Sequence, residues 1–214
     1  REQDITYFIG SYLAKFLSDA GFLVRCSRNK LADNVAATLN RSINYRYIQA
    51  NKFGADYFIS LHCDSSPDKN TRGAHICVYS KKSAAQKLAS AVIERLIPLG
   101  LDGRSEKIAE RKDLGVLKHT NMPAILIEMG FITNPENASL MRSPEVIARA
   151  IFEGICEFTL VKTEKEYMPV TDAIALLKDK DIISDADKWY NGTWDDDDFK
   201  WLLRKVGTFI ADKM

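Results

Sequence analysis

No stretch of the 214-residue chain carries the roughly 18 consecutive apolar residues that a membrane-spanning helix needs, so no transmembrane segment is expected. Charge of neither sign is in excess. The 30 basic and 29 acidic side chains leave +1, which gives no electrostatic reason to expect a nucleic-acid binder. Cysteine is sparse: Cys26, Cys63, Cys77 and Cys156 are scattered without C-x-x-C spacing, so neither a zinc ribbon nor a disulfide scaffold is indicated. Histidine is sparser still, with three residues, so imidazole chemistry rests on His62, His75 or His119. No charged-then-apolar leader opens the chain, which starts Arg1-Glu2-Gln3, and that says little about export. Tryptophan is missing from the first three quarters, with Trp189, Trp194 and Trp201 all in the last.

What is present is ordinary globular material, 46% apolar and 28% charged, long enough for one domain and a small appendage. Ile5, Phe8, Ile9, Tyr12, Leu13, Phe16 and Leu17 recur at three- and four-residue intervals and predict an amphipathic helix, ended by Asp19-Ala20-Gly21. Phe22–Cys26 reads as a short strand, and Leu39–Phe53 as a second helix stopped by Gly54. Asp56–His62 is a strong aromatic and β-branched strand ending in a polar His-Cys-Asp-Ser-Ser loop. Ala74–Tyr79 predicts a strand, Ser83–Leu96 a helix, and Pro98–Lys112 a surface loop or broken helix. Pro123–Glu128 is a buried strand and Pro144–Leu160 a closing helix. Strands alternating with helices imply an α/β fold, a mostly parallel sheet flanked by helices, with working residues beyond the strands' carboxyl ends.

Composition shifts after Leu160. Residues 1–160 hold 21 basic against 17 acidic side chains, and the remainder 9 against 12. The polar, proline-containing stretch 161–169 reads as a linker. Residues 170–214 read as a small all-α domain of two helices, about Val170–Lys180 and Asp196–Ala211, around a Trp-containing loop. Trp201 falls on an apolar helix face with Leu202, Leu203, Val206, Phe209 and Ile210, whereas Trp194 sits in a Gly-containing loop suited to an exposed contact.

Two predicted strands end in chemically useful residues, His62 and Glu128. Zinc sites that hydrolyse amides use three ligands drawn from histidine and carboxylate, and a further carboxylate that takes a proton from water. Glu2 at a helix start, His62 and Glu128 could meet at one sheet edge. Each also has a plainer reading: a structural strand-end histidine, or an acid that is ion-paired or points to solvent. An acid ending a buried strand, as in Ile127-Glu128-Met129-Gly130, is costly unless paired, solvated or used.

The order of short segments resembles the zinc-dependent N-acetylmuramoyl-L-alanine amidases that cut bacterial cell wall, phage endolysins among them. The segments are Arg1-Glu2-Gln3, Gly21–Arg28, Leu39-Asn40-Arg41 through Asn51, Ala55–His62, Arg72-Gly73-Ala74-His75, and Leu114–Lys118 to Pro123–Asn134. They cover residues 1–160, and the run Ile127-Glu128-Met129-Gly130-Phe131-Ile132-Thr133-Asn134 is the most diagnostic. The resemblance implies a peptidoglycan hydrolase with zinc as cofactor, Glu2 and His62 as metal ligands and Glu128 as the catalytic acid/base. It also implies a first strand and a first histidine ligand ahead of Glu2, which these 214 residues do not contain. The rival expectation is a catalytically incomplete peptidoglycan-binding or regulatory module with the same fold. His75 and Asp64 are candidate substrate contacts, Asp64 standing where the family commonly has Asn. Cys63 is expected to pack on the opposite face from His62, and His119 to sit exposed in a turn. The C-terminal helices resemble the end region of some clostridial-type phage lysins. They are expected to bind cell wall, to dock, or to join two copies as a homo-oligomer. The site of action is then the cell wall, reached from the host cytoplasm in a phage lysin or by secretion in a cellular enzyme.

Overall fold

In the computed structural model the chain divides into two compact units, Arg1–Thr163 and Glu164–Met214. The structure describes residues 1–32, 38–160, 177–179 and 183. The linker at 161–169, the helix expected at 170–180 apart from residues 177–179, the helix expected at 196–211, and Trp189, Trp194 and Trp201 therefore lie outside the described residues.

The first unit is an open four-stranded sheet with helices. α1 (Glu2–Asp19) buries Ile9, Leu13 and Leu17, one residue per turn, and carries Glu2 and Asp4 in its first turn, where acids favour the helix dipole. α2 (Leu39–Phe53) is capped by the Thr38 hydroxyl, which accepts from the Arg41 amide. β1 (Phe58–Asp64), β2 (His75–Val78), α3 (Ala84–Leu96), β3 (Ile108–Glu110), α4 (Gly115–Lys118), β4 (Ala124–Phe131), α5 (Pro135–Leu140) and α6 (Pro144–Thr159) follow.

The strand order is β1-β4-β2-β3, with β1–β4 and β2–β3 parallel and β4–β2 antiparallel. The sheet is thus mixed, with two of its three pairings parallel. β4 is its centre and is buried along its whole length except at Glu128, the continuous apolar character of a strand covered on both faces.

The two faces are unequal. Ile59, Leu61 and Cys63 of β1, Ile76 and Val78 of β2, and Ile125, Ile127 and Met129 of β4 join the main core with α1, α3 and α6. The opposite face carries a small cluster: Phe58, Cys77, Ala124 and Leu126 beneath Val116 and Leu117 of α4 and Ile43 of α2. Cys63 packs in the main core as expected, and all four cysteines are free thiols.

Three sequence expectations need correction. Phe22–Cys26 packs Phe22 and Val24 against the core and leaves Leu23 and Arg25 outward, but it joins no ladder among the described residues. Its alternation records burial, which an unpaired segment can also satisfy. The stretch 98–112, expected as a loop or broken helix, contains β3, a three-residue edge strand too short and charged for periodicity to mark. And His62 and Glu128 are not strand ends, because β1 continues to Asp64 and β4 to Phe131.

Candidate active site

Strand register places the site. His62 of β1 is paired with Glu128 of β4, and Glu128 in turn with His75 of β2. Directly paired residues project to the same side of a sheet. His62, Glu128 and His75 therefore form a row across three adjacent strands, on the thin face, beyond the end of the small apolar cluster. Glu2, in the first turn of α1, reaches the row from the β1 side: its Oε1 lies 3.0 Å from His62 Nδ1.

The local environments differ sharply. Glu2 accepts from His62 and from the Cys63 backbone N–H at 3.3 Å. The bond to His62 is the main reason its carboxyl lies below the ordinary range, against an opposing push from burial, with the positive charge of Arg46 helping. The other ring nitrogen of His62, Nε2, is 3.1 Å from the hydroxyl of the buried Ser60. Glu128 is pushed the other way. Its Oε2 is buried without a hydrogen-bond partner, and burial raises its carboxyl to about 7, opposed by the charge of His62 and reinforced by Asp64 and Glu2.

On the far side of Glu128, Arg104 Nη2 donates to His75 Nδ1 at 2.9 Å and is ion-paired with Asp64. The guanidinium lies 4.7 Å from the Phe131 ring centroid. Asp64 is thus held by an arginine, beside a register shift that re-aims it after His62. His119 is exposed at the end of α4, its ring beside Tyr47 and its carbonyl accepting from Asn51 Nδ2, away from the row.

The strand ends are fixed by Asn137. Its buried Oδ1 accepts from the Gly73 and Phe131 backbone amides, at 3.0 and 3.1 Å. Gly130 has φ +119°, and a Cβ there would come within 2.9 Å of that same oxygen, so glycine is required just after Glu128. Gly73 and Gly103 approach backbone to backbone, a Cβ on Gly73 falling 2.7 Å from the Gly103 nitrogen. That contact, with the Ala74 amide donating to the Leu101 carbonyl at 2.8 Å, brings Arg104 alongside His75. Sequence reasoning missed Arg104 and Ser60. Arg104 sat in a segment read as loop, and its only signal was the glycine preceding it.

Glu2 and His62 suit a metal chemically. Two donors on one tetrahedral zinc ion sit about 3.3 Å apart, close to the 3.0 Å between Glu2 Oε1 and His62 Nδ1. Ser60 supplies the outer hydrogen bond that orients a ligating imidazole. Among the described residues, no group of three His, Cys, Asp or Glu side chains is arranged to hold a metal.

An α/β sheet thus carries a carboxylate–histidine pair beside a second carboxylate whose pKa is raised. Residues 1–157 match the N-acetylmuramoyl-L-alanine amidase family, and the chain belongs to that family of peptidoglycan-cleaving enzymes. Zinc dependence is general in the family. The germination-specific N-acetylmuramoyl-L-alanine amidase of Bacillus subtilis (strain 168) is 24% identical over 167 residues, 73% of this chain and 70% of the relative. The endolysin of Bacillus phage SPP1 is 34% identical over 124 residues, 53% of this chain and 44% of the relative. Among solved structures, the CwlD amidase from Clostridioides difficile, in complex with the GerS lipoprotein, superposes with a TM-score of 0.68 at 25% identity. That match covers 75% of this chain and 87% of that one. The chain thus spans less than half of the phage relative. No helix among the described residues is long and apolar enough to cross a membrane.

Proposed function

We propose that the first unit hydrolyses the amide joining the lactyl group of N-acetylmuramic acid to L-alanine, with Glu128 as general acid/base and Glu2 and His62 as two ligands of a zinc ion. A phage-type lysin is the setting we favour, on the likeness to the phage endolysin. The observation that carries the mechanism is the register pairing of Glu128 with His62 across the sheet, with burial raising the Glu128 carboxyl to about 7.

Zinc, when bound, supplies an acidified water and a polarised scissile carbonyl. Glu128 takes a proton as water adds to the carbonyl carbon. It returns that proton to the amide nitrogen as the C–N bond breaks, leaving a lactyl carboxylate and the amino group of alanine. A carboxyl titrating near 7 can both accept and release a proton at neutral pH. Glu2, kept ionised by His62, offers a permanent negative donor, and Ser60 orients the imidazole. Three protein ligands are usual in hydrolytic zinc sites, and Glu2 and His62 are two of them.

The test measures zinc content and release of alanine amino groups from purified sacculi. Glu128→Gln should keep zinc and fold while losing cleavage, and His62→Ala should lose zinc. Cleavage retained by Glu128→Gln would refute the acid/base role. A full-length protein that binds sacculi but neither holds zinc nor cleaves them would be the non-catalytic module instead.

A further inference from the structure

His75 and Arg104 have no part in the acid/base and ligand roles above, yet they flank Glu128 on the side away from Glu2 and His62. A guanidinium only donates hydrogen bonds and does not lose its proton in a protein. His75 Nδ1, 2.9 Å from Arg104 Nη2, must therefore be the acceptor, with its lone pair toward the arginine. That fixes the tautomer: in the neutral ring the proton is on Nε2.

Protonating Nδ1 as well would break this bond and set a second positive charge against the guanidinium. Burial and the Arg104 charge accordingly lower the His75 pKa, partly offset by Asp64 and Glu106, with Arg111 adding to the depression. The arginine is itself fixed, ion-paired with Asp64 and lying over Phe131. His75 Nε2 makes no protein hydrogen bond among the described residues and is not among the sealed, unpartnered atoms of the interior. A neutral N–H donor of settled direction thus stands next to the acid/base carboxyl, on the open face of the sheet.

We propose that His75 is a substrate-binding donor whose Nε2–H engages an uncharged oxygen of the glycan–peptide, a carbonyl or hydroxyl beside the scissile amide, and that Arg104 is the positioning residue that holds it in that tautomer. The proposal rests on the amidase reading of the same row. A neutral donor suits an uncharged acceptor better than a carboxylate, and the arginine charge that would attract an anion is already matched by Asp64.

The first measurement needs no activity. Nitrogen-15 NMR of the His75 ring in the full-length protein should show Nε2 protonated and Nδ1 bare at neutral pH, and Arg104→Met should give a mixture of tautomers. Nδ1–H in the wild type would overturn the proposal. In zinc-supplemented protein, His75→Leu should lower kcat/KM on sacculi fragments by roughly 10- to 100-fold, the effect of losing one well-placed donor, with zinc content unchanged. His75→Gln, whose amide can present an N–H near the same place, should recover part of it. His75→Leu within twofold of wild type, while Glu128→Gln is dead, overturns this inference alone. Wild-type rates in both variants overturn the amidase mechanism beneath it as well.

Discussion

Glu2 and Glu128 are the same residue type on either side of His62, and their surroundings drive them apart. Glu2 sits on a helix start, its side chain 44% exposed, with an imidazole and a backbone amide donating to it. Glu128 sits in the central strand between buried neighbours, one oxygen sealed and unpartnered. The first carboxyl is pulled below its ordinary value and the second is raised to about 7. Where environments push two acids in opposite directions, the division of labour follows: the ionised one is a fixed charge, the near-neutral one a proton carrier.

The contrast breaks most visibly in activity. Glu128→Gln should cost about 10²- to 10⁴-fold in amide cleavage, the usual worth of a positioned acid/base, at unchanged zinc content. Glu2→Gln should instead lower zinc content, and its activity should recover at least partly as zinc is added. If both variants lose zinc alike, the two acids share one task and the comparison fails. Ser60→Ala sharpens the ligand half of it. Losing the outer hydrogen bond to His62 should weaken zinc affinity by roughly 10- to 100-fold without altering the pH at which Glu128 titrates.

The candidate residues of both halves were legible in the sequence, but their spatial arrangement was not. α1, α3 and α6 follow from apolar spacing, because each buries a face of regular period, and β1 and β4 from apolar runs; α2 has no fully buried residue and was legible from its Gly54 stop. Motif order pointed to Glu2, His62 and Glu128 before any geometry. It could not show that these fall in register with His75, because strand order is a long-range property and β4 sits between β1 and β2 in space but after both in the chain. Arg104 was illegible for the same reason. What places it is a backbone contact between Gly73 and Gly103, two loop glycines with no periodicity to read.

Asn137 tests whether the proton-carrying end depends on its support. Its side-chain oxygen is the partner of two buried backbone amides, and each amide left unsatisfied costs about 1–3 kcal/mol. Asn137→Ala should lower unfolding free energy by about 2–4 kcal/mol in denaturant titration. Because the released amides belong to Gly73 and Phe131, next to His75 and Glu128, cleavage should fall more than zinc binding at Glu2 and His62. Equal losses of both would mean that the two halves of the site are held by a common support.

The smallest effect is the one that tests the opposed carboxyls directly. Glu128 has an ordinary value of 4.5 and a folded value of about 7. Between those values the native state binds more protons than the unfolded chain, so this group makes stability fall as pH rises, and its unfavourable contribution is complete above about 7. Glu2, shifted down, acts with the opposite sign: its contribution is present above 4.5 and is lost as pH falls through its lower folded value. In zinc-free protein, Glu128→Gln should therefore melt close to wild type near pH 4.5 and a few degrees above it at pH 8, with the gap opening in between. Glu2→Gln should melt at or slightly below wild type at pH 8, by less than about 1 kcal/mol because water screens a half-exposed pair, and the deficit should close in acid. Gaps of the same sign for both variants at pH 8 would mean that the two acids occupy equivalent environments, and the assignment of one as ligand and the other as proton carrier would lose its physical basis.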